Sequence, residues 1–373
     1  MPIVQQGTIN TTALIVPDLY VQIVPPQNLV LNGVPTNVAG FVGSASWGSV
    51  NQPVVIATMA DYAATFGPVI PRKFDMGTQI AIAVQQGASN FRCVRVTDGS
   101  DIAATYAIFY AAGAYPASLT ARYSGSLGNQ VGVTLSSGSQ AGSWRLTLTL
   151  PGLTPEVFDN LAAPTPATFW ASLVNAVNHG ASALRGPSQL VVASLGTATG
   201  TAPSFLGNQA LLGGTDGASN VTSSVLVGQD TLPRRGLFAL RGQGCSLALL
   251  ADADDAGQYS VQAQFALSEG LYMIATGPSG DSIANAITSK QAAGLDTYGV
   301  KLMFGDWIYW NDQVNGIIRL VSPQGFAAGR QANLSPEQSS LNKPLYGVVG
   351  SQKSGTPGSG QSTSYSSAEL ALL

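Results

Sequence analysis

The 373-residue chain is 45% apolar with a mean hydropathy of +0.20, yet only 9% of its residues are charged, against about 25% in ordinary soluble chains. That length allows two or three domains and a sizeable buried core; the net charge of −3 and isoelectric point near 5.1 give no general attraction for nucleic acid, and no apolar run reaches the ~18 residues of a membrane span. A monomer of this size normally needs more charge to stay dispersed, so its surface is either covered by Ser, Thr, Asn, Gln and Gly or faces other subunits, and an assembly is the better reading. The start, "MPIVQQGTIN", has neither the basic opening nor the apolar stretch of a signal peptide, which points to the cytoplasm.

Residues 1–36 carry Pro2, Pro17, Pro25, Pro26 and Pro35. "ALIVPDLYVQIVPP" alternates in part but is interrupted by proline, so it reads as extended, edge-type chain. An arm with strand character and no core needs a partner sheet, and strand addition to a neighbouring subunit is the expectation. Leu19, Tyr20, Val21, Ile23 and Val24 are its contact candidates.

From Asn37 the pattern changes. "VAGFVGSA" and "QPVVIATM" read as strands, and "MADYAATFG" as a short helix ended by Gly67. "MGTQIAIAVQQGAS" places Met76, Ile80, Ala83, Val84 and Gly87 on one helical face, and "NFRCVRVTDG" closes the unit as a strand. Residues 105–215 differ in texture. "ASLTARYSGSLGNQVGVTLSSGSQAGSWRLTLTLPG" suits antiparallel hairpins. "TPATFWASLVNAVNHGAS" is an amphipathic helix capped by Thr165 or Thr168, with Phe169, Leu173, Val174 and Val177 on its apolar face. "SQLVVASLG" is one more strand, and "LLGGTDGA" is a turn of boundary type. The strand-and-helix rhythm then returns from about residue 221. The fold class is therefore an α/β (α+β) core domain, residues 37–104 plus 216–345, with an inserted β-rich α+β domain at 105–215 and extended terminal arms. Residues 346–373 read as a Gly/Ser-rich linker ending in the apolar, helix-prone stub "AELALL", where Leu370 and Leu372 are further contact candidates.

Chemistry is sparse. Cys93 and Cys245 sit in apolar runs and read as buried reduced thiols. His179 is the sole histidine, placed after a helix where a cation suits the terminus; with no G-x-S-x-G elbow it completes no triad, and it leaves too few ligands for zinc. Asp252, Asp254 and Asp255 in "DADD" form the dense acidic cluster. They could bind calcium or magnesium, or form a solvated strand-to-helix loop facing a helix N-terminus. "GSASWGS" and "RGQGC" fail both phosphate-loop patterns, so the Trp47–Gly48 turn reads as structural, and "GPSGDS" is a weak anion-binding candidate. Trp307, Tyr309 and Trp310 could form a carbohydrate platform or a half-buried strand facing a subunit. No catalytic, cofactor or metal residue is assigned.

Taken in order, these segments resemble the contractile-tail sheath proteins of bacteriophages. An arm with "DLYVQIVPP" precedes "NVAGFVGSASWGSVNQPVVIATMADYAATFG", which resembles the family's first core strand and turn. "LTARYSGSLGNQVGVTL" resembles the opening of its inserted domain, and "LLGGTDGA" the return to the core. "VKLMFGDWIYWNDQVNGIIRLVSPQGFAAGRQA" resembles the late core segment. The resemblance spans residues 15–345. Beyond it, family members continue with a further helix and strands, so roles at that end cannot be carried onto residues here.

The resemblance implies a structural subunit of the virion tail, assembled in the host cytoplasm. It implies polymerisation with itself as stacked hexameric rings around a tail tube protein, between baseplate and tail terminator proteins. Contraction would then drive the tube through the host envelope, with no cofactor, nucleic acid or membrane insertion. The rival readings are an α/β enzyme or metal-binding protein using the loop at 252–255, and a surface binding module built on residues 105–215.

Overall fold

The computed structural model describes residues 3–6, 20–23, 36–303, 306–335, 337–340, 342–356, 359 and 365–372. It divides into two units, Met1–Val34 and Pro35–Leu373. In the first, β1 (Ile3–Gln6) and β2 (Tyr20–Ile23) pair in parallel, Ile3 opposite Tyr20 and Gln6 opposite Ile23, as a two-stranded sheet. Tyr20, Val21 and Ile23 lie on β2; Leu19 and Val24 fall outside the described residues.

The second unit begins with β3 (Ala39–Gly43), buried along its whole length. Phe41 faces one side and Val42 the other, each in a separate apolar cluster, as in a central strand covered on both faces. β4 (Pro53–Ile56) opens on a proline, which a sheet edge tolerates. In α1 (Met59–Phe66), Thr58 and Asp61 form a reciprocal capping box and Gly67, at φ +86°, ends the helix. α2 (Met76–Gln85) is capped by Asp75, and β5 (Phe91–Arg95) follows. On α2 the expected residues Met76, Ile80 and Ala83 are buried, Val84 partly so, while Gly87 is exposed beyond the helix end.

Next come β6 (Thr105–Ile108), β7 (Ala117–Ala121), a 3-10 turn at Ser126–Gln130, β8 (Gly132–Ser137), β9 (Trp144–Thr149), β10 (Glu156–Leu161), α3 (Pro166–His179), β11 (Val191–Leu195) and β12 (Leu206–Ala210). They build two antiparallel sheets, ordered β10-β9-β8-β12 and β11-β7-β6. Alternation decides the faces: Val133, Leu135, Leu146 and Leu148 are inward. Both threonines considered for the α3 cap are used, Thr165 as N-cap and Thr168 returning its side chain. α3 buries Phe169, Trp170, Leu173, Ala176 and Val177.

The chain continues through α4 (Ser223–Val227), a 3-10 turn at Gly236–Leu240, β13 (Leu247–Leu250), α5 (Tyr259–Glu269), β14 (Tyr272–Thr276), α6 (Ile283–Ala293) and β15 (Val300–Met303). These strands complete a six-stranded sheet, β15-β14-β13-β3-β5-β4, parallel except for β4. β16 (Ile308–Asp312), β17 (Ile317–Val321), α7 (Gln324–Asn333), β18 (Val348–Ser351) and α8 (Ser367–Leu372) finish the fold. α1, α2 and α7 cover one face of the large sheet; α4, the second 3-10 turn and α5 cover the other. The mixed α/β fold class is as expected. One segment differs: residues 348–351, expected as the opening of a flexible linker, are a strand paired antiparallel with β16 in a three-stranded sheet, β17-β16-β18. Backbone pairing there uses no side-chain pattern, so its Gly- and Ser-rich text concealed it.

No helix among the described residues is long and apolar enough to cross a membrane.

Candidate functional site

In an open, mostly parallel sheet, ligands sit outside the carboxyl ends of the strands where the winding reverses. Here the winding reverses between β3 and β13. β5 lies on one side of that pair, and β14 and β15 on the other. The crevice at this point is filled by the chain's own polar side chains. Gln79 of α2 donates to Asp252 Oδ1 at 2.8 Å and to Ser322 at 3.0 Å, and accepts from the Gly325 amide at 2.8 Å. Gln324 accepts from the Asp252 amide at 2.9 Å and donates to the Ile274 carbonyl at 2.8 Å. The Phe74 amide donates to Asp252 Oδ2 at 3.2 Å. Gln79, Ser322 and Gln324 are fully buried. Burial pushes the Asp252 carboxyl above its usual range, against the pull of Ser322, Phe74 and Arg319.

A second buried network adjoins the first. Asp75 Oδ2 accepts from the Thr78 amide and hydroxyl, both at 2.8 Å. Thr78 accepts in turn from Arg319 at 2.6 Å, and Arg319 pairs with the fully buried Asp312 at 2.8 Å. On its other side Asp75 faces Arg72 at 3.6 Å, and Arg72 pairs with Asp216 at 2.6 Å. Asp216 also accepts from the Ser126 amide, and its carbonyl accepts from Arg95. The Arg95 guanidinium, wholly buried, donates to the carbonyls of Gly48 and Ser124 at 2.8 Å. A buried cation must be met in this way. The second network thus ties the β16–β17 hairpin and the turn at 216 to the large sheet.

Trp47 adds an apolar tie. Apart from it, the buried cluster inside the two antiparallel sheets is drawn from residues 104–211. Its ring meets Tyr123 edge-on at 5.4 Å. In the turn before it the hydroxyls are already used: Ser44 N and Oγ donate to the Phe74 carbonyl, and Ser46 Oγ to that of Phe66. Gly48 has φ +93°, and a Cβ there would lie 2.6 Å from the Thr65 carbonyl oxygen, which accounts for the glycine.

The other sequence candidates disperse. The three acids of the 252–255 loop diverge: Asp252 turns inward, Asp254 pairs with Lys73 at 2.7 Å, and Asp255 caps the turn leading into α5. Asp252 is thus not part of a solvated loop, and among the described residues no group of three His, Cys, Asp or Glu is placed to hold a metal ion. Cys93 and Cys245 are free buried thiols, Cys245 pushed up to about 11 by burial. His179 is exposed in the last turn of α3. In "RGQGC", Arg241 and the Gly242 amide both bind the Glu269 carboxylate. In "GPSGDS", Ser282 caps α6 and the Gly280 amide donates to Gln352. The aromatic strand is not an open platform: Trp307 and Trp310 are buried, donating to the Gly277 carbonyl and to Gln85. Leu370 and Leu372 are exposed on α8, which Glu369 anchors to Lys353 at 3.0 Å.

Sequence reading singled out Asp252 but missed the residues that meet it in the crevice. Gln79 and Gln324 were visible only as amides within apolar helical faces.

No protein-family model and no curated protein matches the sequence. Solved structures do. The sheath tail protein from Desulfitobacterium hafniense superposes with a TM-score of 0.59 at 16% identity, covering 95% of this chain and 69% of that one. The sheath tail protein from Listeria innocua gives 0.58 at 15% identity, covering 86% of this chain and 61% of its own. This chain therefore spans about two thirds of the length of the structures it resembles, and with them it shares a tail-sheath-like fold.

Proposed function

We propose that this chain is a structural subunit of a contractile phage tail sheath. In this reading it polymerises with itself as stacked hexameric rings around a tail tube protein, between baseplate and terminator proteins, and contracts to drive the tube through the host envelope. The carrying observation is the fold likeness to two sheath tail proteins along 95% and 86% of the chain. The filled crevice supports it from another direction, since the place where such a sheet would hold a ligand is taken up by Gln79, Asp252, Ser322 and Gln324. The rival enzyme or metal-binding reading needs the carboxylates of 252–255 to converge, and they point apart.

The domain plan belongs to the same proposal: an arm at 1–36, a discontinuous core at 37–104 and 216–345, an insertion at 105–215, and a tail at 346–373. Tyr20, Val21 and Ile23, with Leu19 and Val24 beside them, would be contact residues of the arm, and Leu370 and Leu372 those of the tail. A lone two-stranded sheet such as β1–β2 is marginal in water, which favours its completion by a second copy. Sedimentation of the full chain beside residues 37–373 tests this. Large assemblies from the first and small species from the second are expected; equal assembly without the arm would refute its role.

A further inference from the structure

An exposed ring next to hydrogen-bonding groups does exist in this protein, at the far end of the β8–β9 hairpin rather than on β16. Residues 137–144 and Phe205 line a shallow pocket of about 430 Å³. Its lining contains no charged side chain: Ser137, Ser139, Gln140, Ser143, Trp144 and Phe205 are joined only by glycine and alanine. Phe205 is 71% exposed. Its ring rests on Trp144, with centroids 5.4 Å apart, and Trp144 packs on Phe169 of α3. The exposed ring is thus backed by the core rather than loose.

The turn itself is held in shape. β10 shifts register between Phe158 and Leu161, with Asn160 at φ +57°, and such bulges re-aim side chains. Asp159 accepts from the Ser139 amide, the Ser139 hydroxyl and Arg145. Asn160 Oδ1 accepts from the Gln140 amide and the Ser143 hydroxyl. These ties hold the turn in one shape, and a preformed site gains from such rigidity. The Gln140 carboxamide and the Ser137 hydroxyl make no hydrogen bond among the described residues, and both are exposed.

We propose that this turn is a binding subsite for a neutral saccharide, whose C–H face stacks on Phe205 while adjacent hydroxyls pair with Gln140 and Ser137. The negative face of an aromatic ring attracts polarised C–H groups. A carboxamide presents donor and acceptor side by side, the pattern that vicinal hydroxyls complement. The charges that border the lining, Arg145 and Asp159, are paired with each other at 2.9 Å, so phosphorylated or acidic ligands meet no free counter-charge. The inference does not depend on the assembly reading.

Saturation-transfer NMR on the full-length protein tests it, with maltotriose, cellotriose and triacetylchitotriose as probes and sialyllactose as the charged comparison. Transfer to at least one neutral trisaccharide is expected, strongest at the C–H protons of a single ring. Phe205→Ala and Gln140→Ala should each weaken it about tenfold. Both side chains are exposed, so the far-ultraviolet circular dichroism should not change, and Leu184→Ala, fully exposed in the loop between α3 and β11, should leave binding intact. Three silent probes, tighter binding of sialyllactose, or binding that survives Phe205→Ala would each overturn the proposal.

Discussion

Asp75 shows how much a single buried carboxyl contributes. It caps α2 and stands between Arg72 and Thr78, through which both sides of the second network run. Burial lifts its carboxyl from 3.8 to about 6, although Arg72 and the hydrogen bonds from Thr78 and Ile70 pull it down. A folded value above the unfolded one means that the stabilising contribution is complete below about pH 3.9 and is lost as pH rises through about 6. That rise corresponds to roughly 3 kcal/mol. Asp252, also raised by burial, slopes the same way. Exposed Asp98 and Glu369 are held near 2 by hydrogen bonds and, for Glu369, by Lys353; they act oppositely and only at lower pH. Stability measured by urea unfolding should therefore fall between pH 4 and 6, and Asp75→Asn, which keeps an acceptor for the Thr78 amide, should flatten most of that fall. An unchanged slope in the variant would mean that Asp75 is not the titrating group.

At the scale of elements, the contact between α2 and α7 depends on absent side chains. A Cβ at Gly329 would lie 2.5 Å from Ala83 Cα, and one at Gly325 2.8 Å from the Gln79 carbonyl oxygen. Gly329→Ala should cost about 1–3 kcal/mol by overpacking. The clash is with backbone, so adding Ala83→Gly should not restore stability; full rescue by that second change would show the contact to be looser than described. Elements of this kind also mark what was legible from sequence. β3, the Gly67 end of α1 and the α3 cap at Thr165 are set by neighbours within four residues, and the sequence reading found them; the α1 cap at Thr58 is as local but went unnamed. The crevice joins Gln79 to Asp252, 173 positions away, and to Ser322, 243 positions away, so no local pattern announced it. The partners of Trp307 and Trp310 were hidden for the same reason, which left a platform and a half-buried strand both open. Their aromatic alternation was plain, but the Gly277 carbonyl and Gln85 that bury and bind them belong to distant segments.

For the whole molecule, the junction at residues 102 and 215 bears on the domain plan. The Ile102 amide donates to the Thr215 carbonyl at 3.1 Å, and the Thr215 amide to that of Ile102 at 3.0 Å. The ends of the proposed insertion therefore meet. Replacing residues 103–214 by a short glycine turn, together with Trp47→Ser to remove the exposed ring, should leave a cooperatively folding core. A molten product would show the two parts to be one folding unit.

Low charge has its own consequence at this scale. With 9% charged residues, the surface is poorly suited to a dispersed monomer but well suited to repacking against copies without stranding ions. Negative-stain electron microscopy of the purified full-length protein tests this most directly. Long, transversely striated tubes are the expected result; discrete particles of single-chain size at high protein concentration would contradict it.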